Sequence, residues 1–463
     1  MKSSWVAKQN VIYQAPASAG MTSSDKIYIR EQFGKFQRIR RWLNFVLVAG
    51  FLLLPFIRHN GAQAILIDVA TQRIDLFHFS LFPQDLMIIA LIFILAAFTL
   101  FFVSKRYGRV WCGYACPQTI WTLMFNWVER RVEGSHHQSK AMDNQSWNRK
   151  KLAKKITKHT LWLMLSLFTS LTFMSYFEPA RVLYSDFFTA DISPVIAGWV
   201  LFFAVCTYIN AGWLREKMCQ HACPYSRFQS AMLDVTTKLV AYDASRGESR
   251  GPRKRTVAKS EGQGDCVDCN LCVQVCPVGI DIREGLQYEC INCGLCVDAC
   301  DETMVKFNYP KGLIRYTKQS TSEVSFNRAN LGYALLILAT GVSIIVWGLN
   351  RQSFEVNLLR DRQALYRVNT SGHIENTFLL KTLNKTQHLK KYAVLLSDDA
   401  DFTIETRTEF QVQPGEYLMT PLPVSFSGIE YPEKQIIEFV VEDLQTGEAI
   451  TKHSTFYAGP GAW

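Results

Sequence analysis

Five runs of apolar residues, each long enough to cross a bilayer core that needs ~20 helical residues, constrain this chain more than anything else in it. They lie at 41–58, 83–104, 160–177, 194–214 and 330–349, the last reading NLGYALLILATGVSIIVWGL. The composition agrees with a membrane protein that also carries soluble parts: 48% hydrophobic and 19% charged residues, with mean hydropathy +0.02, where soluble chains average ~25% charged. An aromatic content of 13% excludes a disordered chain. Thirteen cysteines in 463 residues are too few for a small disulfide scaffold. The first run is not a signal peptide, because a polar, basic tract precedes it and no small-residue cleavage site follows. Pro55 near its end suits a helix terminus.

Charge sets the expected orientation. Residues 1–41 hold eight Lys/Arg against two Asp/Glu, and 105–158 hold twelve against three. The loops after the first and third runs lack this excess. By the positive-inside rule, the N-terminus, 105–158 and 215–329 are expected in the cytoplasm, and 350–463 on the opposite side. The net charge of +10 is then explained by loops beside anionic lipid, without nucleic acid.

All the cysteines lie at or before Cys300 and twelve of them fall in motifs on the reducing side, where clustered cysteines are metal ligands more often than bridges. Cys206, inside the fourth run, reads as a buried hydrophobe. The segment DCVDCNLCVQVCPVGI places Cys266, Cys269, Cys272 and Cys276 in C-x2-C-x2-C-x3-C-P; ECINCGLCVDACDET repeats the spacing with Cys290, Cys293, Cys296 and Cys300, and with Asp301 where proline would stand. This is the bacterial two-cluster ferredoxin pattern, in which the fourth cysteine of each run ligates the other cluster. The expected [4Fe–4S] ligand sets are therefore Cys266, Cys269, Cys272 and Cys300 for one, and Cys290, Cys293, Cys296 and Cys276 for the other. Each fourth cysteine is expected to start a helix. Zinc needs only four ligands and prefers CxxC pairs separated by a longer insert. With a cysteine for every cluster corner, electron transfer is expected and substrate chemistry at iron is not.

A second repeat follows the second and fourth runs: VWCGYACPQTIW with Cys112 and Cys116, and KMCQHACPYSRF with Cys219 and Cys223. Both are C-x3-C-P on the cytoplasmic side of a span. The repeated unit suggests a pseudo-twofold axis normal to the membrane that brings the two motifs together. Proline tolerates the first helical turn, so Cys116 and Cys223 should sit at helix N-termini, where the dipole favours thiolate. Four thiolates beside Met218 and His221 make a soft set suited to Cu(I), zinc or iron–sulfur species. Three readings stand: a packed helix start, a structural zinc site, or a place where an electron reaches a metal ion or quinone.

None of the nine histidines lies deep in a span, no C-x-x-C-H occurs, and no G-x-G-x-x-G follows a strand. Haem, NAD and FAD therefore have no visible site. The tail 350–463 carries eleven Lys/Arg against fifteen Asp/Glu. Its alternating segments FEVNLL, YAVLLSD, DFTIETRTEFQV, EYLMTPLPVSF and KQIIEFVVEDL suggest an immunoglobulin-like β-sandwich.

Taken together, the order of parts resembles the CcoG/FixG/RdxA family of cytochrome oxidase accessory proteins, most specifically through WCGYACPQTIW. The resemblance implies a bacterial inner-membrane protein that assists assembly of cbb3-type cytochrome oxidase by reducing Cu(II) to Cu(I). It places the cluster ligands on the eight ferredoxin cysteines and the membrane-face site on Cys112, Cys116, Cys219 and Cys223. The expected fold is a multi-domain integral membrane protein: an N-terminal tract (1–40), a four-span domain (41–240), an inserted 2[4Fe–4S] ferredoxin (241–329), a fifth span (330–349) and a periplasmic immunoglobulin-like sandwich (350–463). Expected partners are lipid, a copper chaperone or exporter, oxidase assembly factors or subunits and an unidentified electron donor; a second copy of the chain is compatible with the pattern. The competing functions are a quinol dehydrogenase and a non-catalytic assembly scaffold.

Overall fold

The computed structural model describes residues 26–457 except 60, 78, 234–235, 257–258, 319–327, 362–363, 370, 398–400, 405, 407 and 429–433. Most of the expected N-terminal tract thus lies outside the described residues. The chain divides into two compact units, Met1–Pro55 with Leu91–Val342 and Phe56–Ala90 with Ser343–Trp463.

Among the described residues four helices are long and apolar enough to cross a membrane: Lys35–Phe56, Pro83–Tyr107, Pro194–Leu214 and Asn330–Leu349. Their side chains point mostly outward, as lipid-facing helices should; Phe93 and Leu201 are 70% and 65% exposed. The first of them, α1 (Lys35–Leu53), starts six residues before the apolar run, so its first turns are basic. The second, α2 (Leu86–Tyr107), is followed by α3 (Val110–Tyr114), α4 (Pro117–Glu133) and α5 (His136–Asn144).

The third expected span, 160–177, departs from expectation. It is the far part of α6 (Arg149–Met174), which is not among those four helices. Its first turns carry six Lys/Arg, and its apolar part is broken by Ser166, Thr169, Ser170 and Thr172. Three of those hydroxyls bond back to carbonyls four residues earlier, and Ser170 donates to Val200 O across the bundle at 2.6 Å. Those hydroxyls are satisfied within the helix or by Val200 O, while Leu163, Met164 and Phe168 of the same helix point outward. Trp162, Leu171 and Met174 are buried, Trp162 in the cluster with Phe125 and Ala211, Leu171 and Met174 in that with Val200. After α7 (Ala180–Thr189) and α8 (Pro194–Thr207) the chain winds through two π-helical stretches, Tyr208–Leu214 and Met218–Ala222, into α9 (Pro224–Ala231).

The ferredoxin part is bracketed by two antiparallel strands, Leu239–Tyr242 and Ile314–Thr317. Within each quartet the residue after the first x of C-x2-C and the residue after the second cysteine have positive φ: Asp268 and Asn270 in one, Asn292 and Gly294 in the other. Asp, Asn and Gly tolerate that conformation, which curls each loop so that its thiols face one space. The fourth cysteines do not start helices. Cys276 follows a four-residue turn, Leu271–Gln274, because Pro277 disfavours helical backbone just before it. Cys300, with no proline after it, lies inside the helix Leu295–Lys306.

In the second unit nine strands form two sheets. One runs Phe402–Ile404, Tyr417–Phe426, Ile374–Asn384 and Phe354–Arg360, with Arg367–Val368 on Ile374–Asn384; the other runs Glu409–Val412, Lys390–Leu396, Lys434–Asp443 and Ala449–Tyr457. Strict alternation along Ile374–Asn384 sends Phe378 and Leu380 inward, against Phe439 and Phe456 of the facing sheet. This is the expected sandwich. The segment 59–82, expected as a loop between two spans, contributes short strands, and its neighbourhood packs on the sandwich. Asp85 pairs with Arg351 and Lys385 at 3.3 and 3.4 Å, and Gln387 Nε2 donates to Phe77 O at 2.8 Å.

Candidate functional site: a ferredoxin docked on a membrane-face cysteine motif

Two cavities lie inside the ferredoxin part. The first is lined by Cys276, Cys290, Cys293 and Cys296, with Cys272 also on its wall; the second is lined by Cys266, Cys269, Cys272 and Cys300. Val278, Ile280, Ile291 and Leu295 close the first, and Val267, Met304, Leu313 and Ile314 the second, all buried. Largely apolar walls with thiols as the convergent soft ligands suit an iron–sulfur cubane, with Cys269 at the exposed edge of the second. Among the described residues no three His, Cys, Asp or Glu side chains converge on a single-ion site.

The C-x3-C-P motifs also meet. Cys116 is the N-cap of α4 with Pro117 at its first position, and Cys223 directly precedes Pro224 at the start of α9, both as the sequence leads one to expect. Cys112 Sγ donates to Gln229 Oε1 of α9 at 3.0 Å, and Gln229 Nε2 reaches Ser104 Oγ and Tyr225 Oη at 2.8 and 2.6 Å. Burial pushes the Cys112 thiol up to about 11 against the pull of Arg109. Burial, then the neighbouring Cys116, Cys112 and Cys223, push Cys219 up to about 12. Both thiols are thus protonated at neutral pH, and a metal entering would displace their protons. Cys206 takes no part in this group.

The contact that sequence reasoning missed is between the two cysteine systems. The Gly113–Tyr114 backbone lies on the loop Ile291–Cys293: a Cβ on Gly113 would fall 2.6 Å from Ile291 O and 3.2 Å from Cys293 Cα. Tyr114 Oη donates to Cys293 O at 3.0 Å, Arg109 donates to Tyr288 O, and Asn292 Nδ2 donates to Tyr107 O at 2.7 Å. Cys112 belongs to the same buried cluster as Cys293, Val275 and Ile291. The lone signal in the sequence is the glycine of CGYAC, where the second motif has Gln220.

An acidic–basic network braces this arrangement from behind. Glu129 and Glu133 on α4 are buried; Arg215 Nη2 meets Glu129 Oε2 at 2.8 Å, Lys158 Nζ meets Glu133 Oε1 at 2.8 Å, and Lys26 also pairs with Glu129. Burial pushes Glu129 up, yet Arg215, Lys26 and Lys158 together hold it down at about 2.

Comparisons with known proteins fit this geometry. Three family descriptions match along the chain: a 4Fe-4S binding domain over 86–134, a 4Fe-4S dicluster domain over 214–319, and the immunoglobulin-like fold at the C-terminus of FixG over 344–459. The first of these spans Cys112 and Cys116. Protein RdxB of Cereibacter sphaeroides is 34% identical over 94% of this chain and 97% of its own length. Nitrogen fixation protein FixG of Rhizobium meliloti is 35% identical over 78% of this chain and 76% of its own. A crystal structure of a FixG-related protein from Vibrio parahaemolyticus, 27% identical, covers 23% of this chain and 97% of that one at a TM-score of 0.22. With near-complete coverage by such relatives, the chain belongs to the FixG/RdxA family of membrane iron–sulfur electron-transfer proteins.

Proposed function

We propose that this protein passes single electrons through two [4Fe–4S] clusters to Cu(II), giving Cu(I) for assembly of a cbb3-type cytochrome oxidase. Cys266, Cys269, Cys272 and Cys300 would hold one cluster, and Cys276, Cys290, Cys293 and Cys296 the other; the two cavities these sets line support that assignment. What the clusters supply when bound is one-electron transfer, and one electron is what Cu(II) consumes in becoming Cu(I). The electrons come from a protein or diffusible one-electron donor.

The observation that carries the reading is the packing of Gly113 and Tyr114 on Ile291–Cys293. It sets the Cys112 thiol in the same buried cluster as the wall of one cluster cavity. Cys112, Cys116, Cys219 and Cys223 would receive the copper, the Cys112 and Cys219 thiols releasing their protons as sulfur binds. Soft sulfur favours Cu(I) over Cu(II), which makes the ion easier to reduce while it is held. Gln229 fixes the direction of the Cys112 thiol, and Arg109 adds positive charge beside it. Copper is a substrate that must leave again for a chaperone or exporter, and a face of thiols without a closed single-ion cage suits an ion in transit. The charge bias of the loops supports a cytoplasmic N-terminus, a cytoplasmic ferredoxin and a periplasmic sandwich in a bacterial inner membrane.

The test is anaerobic. Full-length protein reduced with dithionite and freed of excess reductant is mixed with Cu(II) and a Cu(I) chelator. Cu(I) should appear in step with cluster oxidation. Replacing Cys112, Cys116, Cys219 and Cys223 by serine should slow it at least ~10-fold with iron content unchanged, equivalent to ≥ ~1.4 kcal/mol in the barrier. Unchanged rates would remove those four residues from the mechanism, and oxidation by a quinone analogue but not by copper would replace the copper reading.

A further inference from the structure

Arg40 is 1% exposed, and none of its three guanidinium nitrogens finds a hydrogen-bond partner among the described residues. A fully buried, unpaired cation is too costly to be left without a counter-charge. Its surroundings show where that counter-charge belongs. The start of α1 is fixed on the helix Leu295–Lys306, because the backbone N–H groups of Phe36 and Gln37 donate to the Asp298 carboxylate at 3.2 and 2.9 Å. One turn further on, Arg40 lines a cavity together with Pro277 and Leu295, and both of these residues also line the space enclosed by Cys276, Cys290, Cys293 and Cys296. The groups acting on Arg40 electrostatically are the sulfurs of Cys293 and Cys276 and the phenols of Tyr114 and Tyr316. Those phenols are neutral and donate their protons to Cys293 O and Asn292 O. The two carboxylates that line the same cavity as Arg40 are already engaged, Glu129 by Lys26, Lys158 and Arg215 and Glu31 by Arg41 and Arg130, and Asp298 is held by the α1 backbone.

The other cysteine cavity presents the opposite case. Arg283 stands on its wall, but its guanidinium is bound by Asp281 and Asp268, at 2.5 Å each, so its charge is already balanced.

We propose that Arg40 is the charge partner of the cluster held by Cys276, Cys290, Cys293 and Cys296, and that it raises the reduction potential of that cluster alone. A cubane with four thiolates is anionic, and reduction adds one more negative charge, so a fixed cation in a dry wall stabilises the reduced form. The cluster beside Gly113 thereby becomes the lower-energy seat for the electron, and electrons collect at the end that faces the membrane. This inference rests on the ligand sets proposed above.

The experiment is a redox titration of full-length, detergent-solubilised protein followed by EPR, with iron counted, for wild type, R40Q and R40K. In R40Q one midpoint should fall by the equivalent of about tenfold in its equilibrium constant, about 59 mV for a one-electron couple; the other should stay, and R40K should recover most of the loss. If R40Q loses one cluster's iron and R40K keeps it, charge rather than shape governs loading, which supports the same pairing. Midpoints unmoved in R40Q, both moved equally, R40K behaving as R40Q, or both variants losing iron would overturn it. Failure of wild type to show two titrating [4Fe–4S] signals would instead overturn the ligand sets, before any variant is compared.

Discussion

The two C-x3-C-P motifs have the same cysteine spacing and the same proline, and they fold differently. In the first, Val110–Tyr114 is a short α-helix with Cys112 buried, and the glycine after Cys112 lets backbone lie directly on Ile291–Cys293. In the second, Met218–Ala222 is π-helical, Cys219 and Cys223 are only part-buried, and Gln220 occupies the position equivalent to Gly113. Wide π turns are seen mostly at functional positions, and this one follows another at Tyr208–Leu214. Arg215, the first of the three residues between them, adopts φ 44°, and its side chain bonds to Glu129 and Gly212 O. A shared motif has thus been divided between two tasks. One copy packs on the ferredoxin loop, and the other, under the function proposed above, is the side through which the copper ion enters and leaves.

The largest effect expected concerns what links the two. Glu129 belongs to the helix that follows the first motif and grips Arg215, four residues ahead of Cys219. E129Q would leave Arg215 as a buried cation lacking its carboxylate, while Lys158 keeps Glu133 at 2.8 Å, a loss of about 3–5 kcal/mol. It should lower thermal stability strongly, and peptide mapping after alkylation should show Cys219 and Cys223 more reactive while Cys112 changes little. Equal gains at all three would mean that the two motifs are one rigid body. The pH dependence has a definite sign. Glu129 is held below its unfolded value of ~4.3, so its contribution is complete above that pH and fades as pH falls toward 2. The stability gap between wild type and E129Q should therefore be constant from pH 8 to 5 and close below about 4.

The next effect is on the first motif alone. The methyl group of G113A would press on Ile291 O, and backbone cannot rotate away as a side chain can. About 1–3 kcal/mol of docking should be lost, with copper-driven oxidation of the reduced protein slowed by about tenfold or more. Q220A at the matching place in the second motif should stay near wild type. If the two variants behaved alike, the division of tasks between the two motifs would fail.

Much of this was legible before any coordinates, for reasons that differ by element. The ferredoxin quartets declare themselves because three thiols on one tight loop need fixed short spacings, and the Asp, Asn and Gly between them are the residues that allow it. The apolar runs and the inward alternation of the sandwich are likewise local patterns. The sandwich strand Ile374–Asn384, hidden among polar residues such as Lys381 and Asn384, was not named, and neither was Ala449–Tyr457. α6 reads from its apolar content as an ordinary span, although the hydroxyls that interrupt its apolar run are plain in the sequence. The long-range placements with the greatest consequence have no local signature at all. Gly113 and Ile291 lie 178 positions apart, and Arg40 and Cys293 lie 253 apart. A buried arginine near the start of a basic tract looks in sequence like one more positive-inside charge.

The smallest expected effect bears on the bridge between the motifs. Gln229 of α9 accepts from the Cys112 thiol and donates to Ser104 and Tyr225, so one side chain from the second repeat sets the aim of a sulfur in the first. Q229L keeps the bulk and removes the hydrogen bonds, at about 1 kcal/mol for each bond not replaced. Copper reduction should slow several-fold while both cluster midpoints remain at their wild-type values, because Gln229 lines neither cysteine cavity. A shifted midpoint with an unchanged copper rate would mean that Gln229 acts on the ferredoxin side. Cys112 would then belong to the surface packed on the ferredoxin rather than to the copper face, and the thiols that meet the ion would reduce to Cys116, Cys219 and Cys223.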